Sequence, residues 1–202
     1  MKVPSTRKPS VVAAVAVAAT VVLAGCSSMS AQNPSGPLRP VNAVAVESES
    51  HLMLKGADVV AYFTQGRYTP GVPAHRSRYR GVDFRFASAE HKALFDANPT
   101  RYLPQYGGYC ANGVVYGIPW GGDADAWKIV DGRLYIFGGQ ASKEAFELNE
   151  KANIALADQY WNGEMVGRNS HVQRTFRLTV RVPHYKSGEE LAREVARAKA
   201  QK

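Results

Sequence analysis

A single thiol in a glycine-rich, aromatic setting is the feature of this sequence best suited to chemistry. Cys110 lies in the stretch Gln-Tyr-Gly-Gly-Tyr-Cys-Ala-Asn-Gly, residues 105–113, and the only other cysteine of the 202-residue chain is Cys26. A free cysteine can bind a soft metal ion, attack a substrate, or serve as a small buried apolar side chain. Which role applies depends first on the compartment in which the chain folds.

The beginning of the chain has the three parts of a bacterial secretion signal. Three basic residues precede an apolar run over residues 11–23, and Leu-Ala-Gly-Cys ends the segment at Cys26. The run is too short to span a bilayer, and its small residues suit cleavage. This ending resembles the lipobox of bacterial lipoproteins, which implies cleavage before Cys26 and lipidation of its thiol. The following Ser27 favours the outer membrane. An ordinary secretion signal with a chance cysteine is the alternative.

With the thiol of Cys26 lipidated, Cys110 would be the only free thiol of the mature chain, so that no disulfide could form within it. In an oxidising periplasm such a thiol is expected to be buried, bound or reactive. The formal charge would fall from +8 to +5, a mildly basic surface compatible with anionic membrane. Nucleic acid is not an expected partner, because no dense basic stripe is present. The expected partners are the membrane, through the lipid anchor, and an envelope protein.

Turn and capping signals predict an α+β domain with two β-hairpins and packed helices. Arg80-Gly81 is expected to form the turn of the first hairpin, and Asp131-Gly132 is typical of a type I′ turn in the second. Ser88 is a good N-cap for a helix over 89–97, and Ser142 for a longer helix over 143–161. Hairpins separated and followed by helices are typical of α+β folds.

The chain divides into a signal over 1–26, a Ser- and Pro-rich flexible tether over 27–45, a domain over 46–162 and a basic extension over 163–202. In the extension, apolar residues alternate with polar ones and predict a half-buried strand; they are Phe176, Leu178, Val180 and Val182. Ser187 and Glu190 then form a capping box ahead of a charged helix. This helix either packs loosely on its own domain or serves as an interaction element.

Five ordered blocks between about residues 50 and 162 resemble the secreted bacterial branch of the YHS-domain family. They are the blocks Asp-Val-Val-Ala-Tyr-Phe from Asp58, Phe-Arg-Phe-Ala-Ser-Ala-Glu from Phe84, Asn-Pro to Tyr102, Tyr-Gly-Gly-Tyr-Cys-Ala from Tyr106, and Ala-Trp-Lys-Ile-Val-Asp-Gly from Ala126. The resemblance implies a small α+β module that binds metal through two cysteines in a Phe-Cys-Ser-x-x-Cys pattern. In this sequence Ala87 and His91 stand at the two cysteine positions, and the tripeptide Tyr-His-Ser is absent.

Cys110 and His91 are therefore the ligands predicted for a transition metal. One thiolate and one imidazole make a two-coordinate site, which suits Cu(I) better than structural zinc, because structural zinc requires four ligands. The alternatives are a small buried apolar side chain for Cys110 and a solvated helix residue for His91. Four further residues are candidates for lining a pocket around this site: Asp58, His75, Tyr106 and Tyr109.

Three functions follow from these observations. The first is a lipid-anchored periplasmic protein that holds copper or zinc through Cys110. The second is a non-catalytic envelope module that uses its fold and basic tail to bind a protein or the membrane surface. The third is a thiol-dependent enzyme, for which no catalytic residue is assigned, because no signature of a known thiol enzyme surrounds Cys110.

Overall fold

The computed structural model describes residues 38–46 and 49–201. The signal, the lipidation site Cys26 and the first part of the predicted tether lie outside these residues. The strands and helices are, in chain order, β1 (Ala43–Val46), β2 (Glu49–Met53), α1 (Ala61–Thr64), β3 (Val72–Tyr79), β4 (Val82–Phe86), α2 (Ala89–Ala97), α3 (Pro99–Tyr102), α4 (Ala111–Val114), β5 (Asp123–Val130), β6 (Arg133–Phe137), α5 (Gln140–Glu147), α6 (Glu150–Tyr160), α7 (Ser170–Thr179) and α8 (Gly188–Ala200). Short 3₁₀ segments cover Leu54–Gly56 and Gln105–Gly108, and a π-helical turn covers Trp161–Met165.

The strands form two small sheets. The larger has the order β1-β2-β4-β3, in which β1–β2 and β3–β4 are antiparallel and β2–β4 is parallel, and the smaller is the β5–β6 hairpin. Helices and small sheets together confirm the predicted α+β class. Among the described residues, no helix is long and apolar enough to cross a membrane.

Both predicted hairpins are present, and their turns have the expected left-handed backbone. Arg80 and Gly81 have φ of 48° and 84°, and Asp131 and Gly132 have φ of 50° and 72°. Two consecutive positive φ values are the mark of a type I′ turn, whose twist matches that of the flanking strands. Ser88 caps α2 as predicted, since its hydroxyl accepts a hydrogen bond from the backbone N–H of His91.

The apolar side chains gather in two clusters. The first packs the larger sheet against α2 and centres on Phe84, Phe86 and Phe95. The second packs β6 against α4, α5 and α6, and includes Phe137 and Phe146. The second cluster lies beside Cys110 and also takes side chains from the C-terminal extension.

Both ends of the described part of the chain contribute side chains to this core. Val41 and Ala43 are fully buried, and β1 pairs with β2, so the described chain enters the fold inside the range 27–45 predicted as a tether. Val182 is buried in the second cluster and Leu191 packs against it. The extension over 163–202 is therefore packed on the domain along much of its described length.

The strand predicted over residues 176–182 is wrong, because α7 covers Ser170–Thr179. Asn169 begins this helix by accepting hydrogen bonds from the backbone N–H groups of His171 and Val172. The alternating pattern was misleading because Phe176, Leu178 and Val180 are exposed to solvent. The side that packs on the protein instead carries polar residues such as Gln173.

The single helix predicted over 143–161 is also wrong, because it is broken into α5 and α6 around Asn149. Asn149 has a non-helical backbone, with φ of −140° and ψ of 51°. The amide of Asn153 donates to the carbonyl of Phe146 at 2.8 Å and satisfies part of the exposed end of α5. Helix α5 begins after Gly139 rather than at Ser142, which leaves the Ser142 hydroxyl available for another partner.

Candidate functional site: the Cys110 cavity

A left-handed turn places Cys110 at the start of α4. Tyr106, Gly107 and Gly108 all have positive φ, and Cys110 follows as the N-cap residue of α4. A Cβ atom on Gly107 would lie 2.4 Å from the carbonyl oxygen of Pro40, so only glycine permits this close contact. The backbone N–H of Cys110 donates to the carbonyl of Trp120 at 2.9 Å. The glycines thus allow the turn that fixes the position of the thiol.

The thiol lies on the wall of a cavity of about 540 Å³ between α4, α5 and α8. This volume is within the usual range for small-molecule sites. Its apolar lining comes mainly from α8 and from aromatic rings of neighbouring loops: Tyr116, Trp120, Ala145, Tyr185, Leu191, Ala192 and Val195. The cavity therefore offers an apolar surface to any molecule that enters it.

Two polar side chains, Ser142 and Asn112, line the cavity together with the thiol. The Ser142 hydroxyl is 3.1 Å from the sulfur of Cys110. Asn112 also lines the cavity and is only 7% exposed. Its side-chain amide can both donate and accept hydrogen bonds, so Asn112 is a polar group that an occupant of the cavity can contact.

The charged residues of the cavity are already neutralised. Lys199 donates to Glu144 at 2.9 Å, and both residues line the cavity. Lys186, the other lysine of the wall, donates to both oxygens of Glu194 at 2.6 and 2.7 Å. Each ammonium is thus paired with a carboxylate, which favours an uncharged occupant.

The surroundings of Cys110 do not support nucleophilic catalysis. The sulfur has a hydroxyl as its hydrogen-bonding neighbour, whereas an activated thiol needs an imidazole or another base within hydrogen-bonding reach. His184, the nearest histidine to the cavity residue Tyr116, uses Nε2 to contact the carbonyl of Val115 at 2.9 Å. The thiol is also only 4% exposed.

His91, the second predicted metal ligand, belongs to a different cluster. Its Nδ1 donates to Asp58 Oδ2 at 2.6 Å, and its Nε2 lies 3.0 Å from the Thr64 hydroxyl. His91 is 6% exposed and Asp58 is completely buried, so His91 is not the solvated helix residue of the alternative interpretation. Both ring nitrogens are engaged within the protein.

Asp58 gathers four donors and acts as a clamp between three segments. Its Oδ1 accepts from the backbone N–H groups of Val60 and Ala61, and its Oδ2 accepts from Ala87 and His91. The carboxylate therefore joins the start of α1 to the junction between β4 and α2. This is the junction at which the family pattern places its two cysteines.

The predicted donor set does not fit a metal ion. Ala87 has no donor atom in its side chain, His91 is held by Asp58 and Thr64, and Cys110 lies in the separate cavity beside Ser142. In the described part of the chain, no three His, Cys, Asp or Glu residues are grouped so that they could hold a metal ion. Copper or zinc binding by Cys110 with His91 thus has no geometric support.

The other predicted pocket residues also lie away from the thiol cavity. Tyr109 is fully buried and donates to the carbonyl of Val41 at 3.2 Å, and burial raises its pKa to about 12. Tyr106 donates to Asp158 at 2.8 Å; burial and then this carboxylate raise its pKa. His75 lies on β3 and is partly exposed. The burial of Tyr106 and Tyr109 favours a role in the core for both tyrosines.

The residues that do build the cavity were mostly missed by sequence reasoning. Asn112 directly follows the recognised Tyr-Cys-Ala block, and its position there was the one available signal. The wall formed by α8 had no signal beyond the amphipathic spacing of Leu191 and Val195. Comparison with known proteins gave no match to any family model, curated protein or solved structure.

Proposed function

We propose that this protein is a lipid-anchored, non-catalytic binding protein of the cell envelope. Its ligand is a small, uncharged and largely apolar molecule that occupies the Cys110 cavity. The resemblance to secreted YHS-domain proteins and the lipobox-like leader support the envelope location. The observation that carries the binding role is a largely apolar cavity of about 540 Å³ whose wall also carries the Asn112 amide and the Ser142 hydroxyl.

The ligand class follows from the groups that line the cavity. Apolar side chains of α8 and the ring of Trp120 would bury most of the ligand surface. The Asn112 amide and the Ser142 hydroxyl would hydrogen-bond one polar group, such as a carbonyl or hydroxyl. A charged molecule is disfavoured, because Lys186 and Lys199 are already paired with carboxylates.

In this proposal Cys110 is part of the wall and not the reacting group. Its sulfur adds polarizable apolar surface to the wall that also carries the Asn112 amide and the Ser142 hydroxyl. Replacing Cys110 with serine would keep the size of the side chain and remove the thiol chemistry. Ligand binding within a few-fold of wild type in Cys110→Ser would separate a binding site from a thiol-dependent one.

The test is a titration of the chain beginning at Ser27 with the uncharged naphthalene dye Prodan, whose carbonyl can accept from Asn112. Ala192→Phe fills the cavity from α8 and is expected to weaken dye binding at least about tenfold, because the ring takes the place of the ligand. Ala200→Phe places the same ring on the exposed end of the same helix and is the matched control. Equal binding by wild type and Ala192→Phe would contradict the proposal.

A second variant tests the polar contact. Asn112→Leu keeps the volume of the side chain and removes both amide groups, so Prodan is expected to bind about tenfold more weakly through loss of its hydrogen bond. A hydrocarbon probe without an acceptor should bind Asn112→Leu as well as or better than wild type. The same loss for both probes would show that the variant damages the cavity itself, and would remove the support for recognition by Asn112.

A further inference from the structure

Helix α7 exposes its apolar residues to solvent and packs its polar side against the protein, the opposite of a helix that packs on a core. Val172, Phe176 and Val180 recur at intervals of four residues, so they form one stripe along the helix and its C-terminal end. Their exposed fractions are 68%, 48% and 50%. We call these three residues the α7 stripe. Exposed apolar residues aligned in this way mark an interaction surface more often than chance exposure does.

The opposite side of α7 is fixed to the protein by polar contacts. Gln173 donates to the carbonyl of Gly117 at 3.1 Å, and Arg174 donates to the carbonyl of Pro119 at 2.6 Å. Arg177 donates to Glu164 at 2.9 Å. These contacts fix the rotation of α7 about its axis, so the α7 stripe is held outward by the fold.

Two exposed arginines flank the stripe. Of the five basic residues between Met165 and Gly188, Arg174 donates to the carbonyl of Pro119, Arg177 pairs with Glu164 and Lys186 pairs with Glu194. Arg168 and Arg181 are exposed on either side of α7. An outward apolar stripe with flanking arginines complements the acyl and phosphate layers of an anionic membrane.

The N-terminal chain enters the described fold on this side of the molecule. The backbone N–H of Gly167 donates to the carbonyl of Arg39 at 2.9 Å, five residues before Val172. Leu38, where the described chain begins, is twelve residues after the predicted lipidation site Cys26. A chain of that length reaches at most about 40 Å when fully extended. A lipid anchor at Cys26 is therefore compatible with a bilayer that lies against the α7 stripe.

We infer that α7 is a second membrane contact, which inserts the α7 stripe into the interface of an anionic bilayer while the flanking arginines bind lipid phosphates. An apolar and basic contact adds binding energy to the attachment that a lipid anchor provides. The contact would also orient the domain on the membrane surface. The anchor serves here only to place the membrane, so the inference does not depend on what the Cys110 cavity binds.

The test uses the unlipidated chain beginning at Ser27, so that only the protein surface can bind lipid. Co-sedimentation is measured with vesicles of equal parts phosphatidylglycerol and phosphatidylcholine, and with vesicles of phosphatidylcholine alone. Wild type is expected to bind the anionic vesicles and to be released by high salt. Phe176→Asp is expected to bind about tenfold more weakly, since it removes the central apolar residue of the stripe and adds a repelled charge.

Leu94→Asp is the matched control, because Leu94 is a similarly exposed apolar residue on α2. It should bind anionic vesicles as wild type does, and both variants should unfold at the wild-type temperature. The inference is overturned if wild type does not co-sediment with anionic vesicles, or if Leu94→Asp loses as much binding as Phe176→Asp. It is also overturned if the chain sediments as a dimer that Phe176→Asp dissociates, which would make the stripe a contact between two copies.

Discussion

Nδ1 of His91 lies 2.6 Å from Oδ2 of Asp58, and both side chains are buried. The pair occupies the strand-to-helix junction at which the resembling family carries its cysteine ligands. A buried imidazole held by a carboxylate that also accepts three backbone N–H groups is a fully bonded structural unit. The pair thus links the start of α1 to the start of α2 by hydrogen bonding.

The Asp58 clamp predicts a large stability loss on a small chemical change. Asp58→Asn keeps the size of the side chain but replaces one carboxylate oxygen with an NH₂ group, which cannot accept hydrogen bonds. Buried donors, including His91 Nδ1, then lose their acceptor, so the free energy of unfolding should fall by about 3–5 kcal/mol. Urea unfolding followed by far-UV circular dichroism measures this change. Asp96→Asn removes a carboxylate from the exposed pair with Lys92 and should cost less than about 1 kcal/mol. Equal losses in the two variants would refute a special role for Asp58.

A copper titration tests the sequence-based metal hypothesis directly. Wild type and Cys110→Ala are expected to lose Cu(I) equally to a competing chelator, because the described donor set offers one thiol and no grouped partners. Isothermal titration or chelator absorbance gives the affinity. Tight one-to-one binding that disappears in Cys110→Ala would show that the thiol recruits further ligands, and would restore the copper-holding function.

The packing of α8 is expected to control access to the thiol. Val195 is 9% exposed and lies on the cavity wall, so Val195→Asp buries a charge and should loosen α8. The rate of Cys110 alkylation by N-ethylmaleimide should then rise about tenfold, since a buried thiol reacts only when its cover opens. Ala200→Asp adds the same charge on the exposed end of α8 and should label at the wild-type rate. Unchanged labelling in Val195→Asp would mean that α8 does not cover Cys110.

The buried tyrosines predict a loss of stability at alkaline pH. Burial raises the pKa of Tyr109 and of Tyr116 from the ordinary value of 10.0 to about 12. Above pH 10 the unfolded chain therefore releases protons that the folded chain keeps, and the free energy of unfolding should decrease between pH 10 and 12. This contribution is complete below pH 10 and is lost as pH rises through 12.

Tyr116→Phe removes one of these titrating groups. The slope of unfolding free energy against pH should become shallower between pH 10 and 12, while stability at pH 8 serves as the reference for any packing effect. Urea unfolding at each pH gives the slope. A variant with the wild-type slope would show that Tyr116 ionises equally in both states.

Local signals were sufficient for the elements whose structure depends on neighbouring residues. Asp131-Gly132 specified its turn because two adjacent positive φ values are cheapest at these residues. Ser88 and the Ser187–Glu190 capping box marked helix starts because each bond closes within four residues. The α+β class followed from these elements, and none of them required knowledge of the rest of the chain.

Contacts between distant segments decided what local patterns left ambiguous. The alternation over 176–182 fits a strand when the apolar side is assumed to be buried. In the structure, Gln173 and Arg174 donate to loop carbonyls 56 and 55 residues away, and these contacts turn the apolar side of α7 outward. Asp58 meets His91 across 33 residues, and Thr64 lies 3.0 Å from the other ring nitrogen, so both nitrogens have partners within the protein. Spacing in the sequence carries no information about such contacts, because their energy depends on which surfaces the fold brings together.

The same distinction applies to Cys110. Its glycine-rich turn and its lack of a cysteine partner in the described fold could be inferred from its immediate neighbours and from a count of cysteines. The contact of Cys110 with Ser142 and the presence of α8 in the wall of its cavity could not be inferred in this way. Ser142 was interpreted as a helix cap, and α8 lies almost eighty residues further along the chain. Backbone conformation is set within a few residues, whereas burial and hydrogen-bond partners are set by packing of the whole chain.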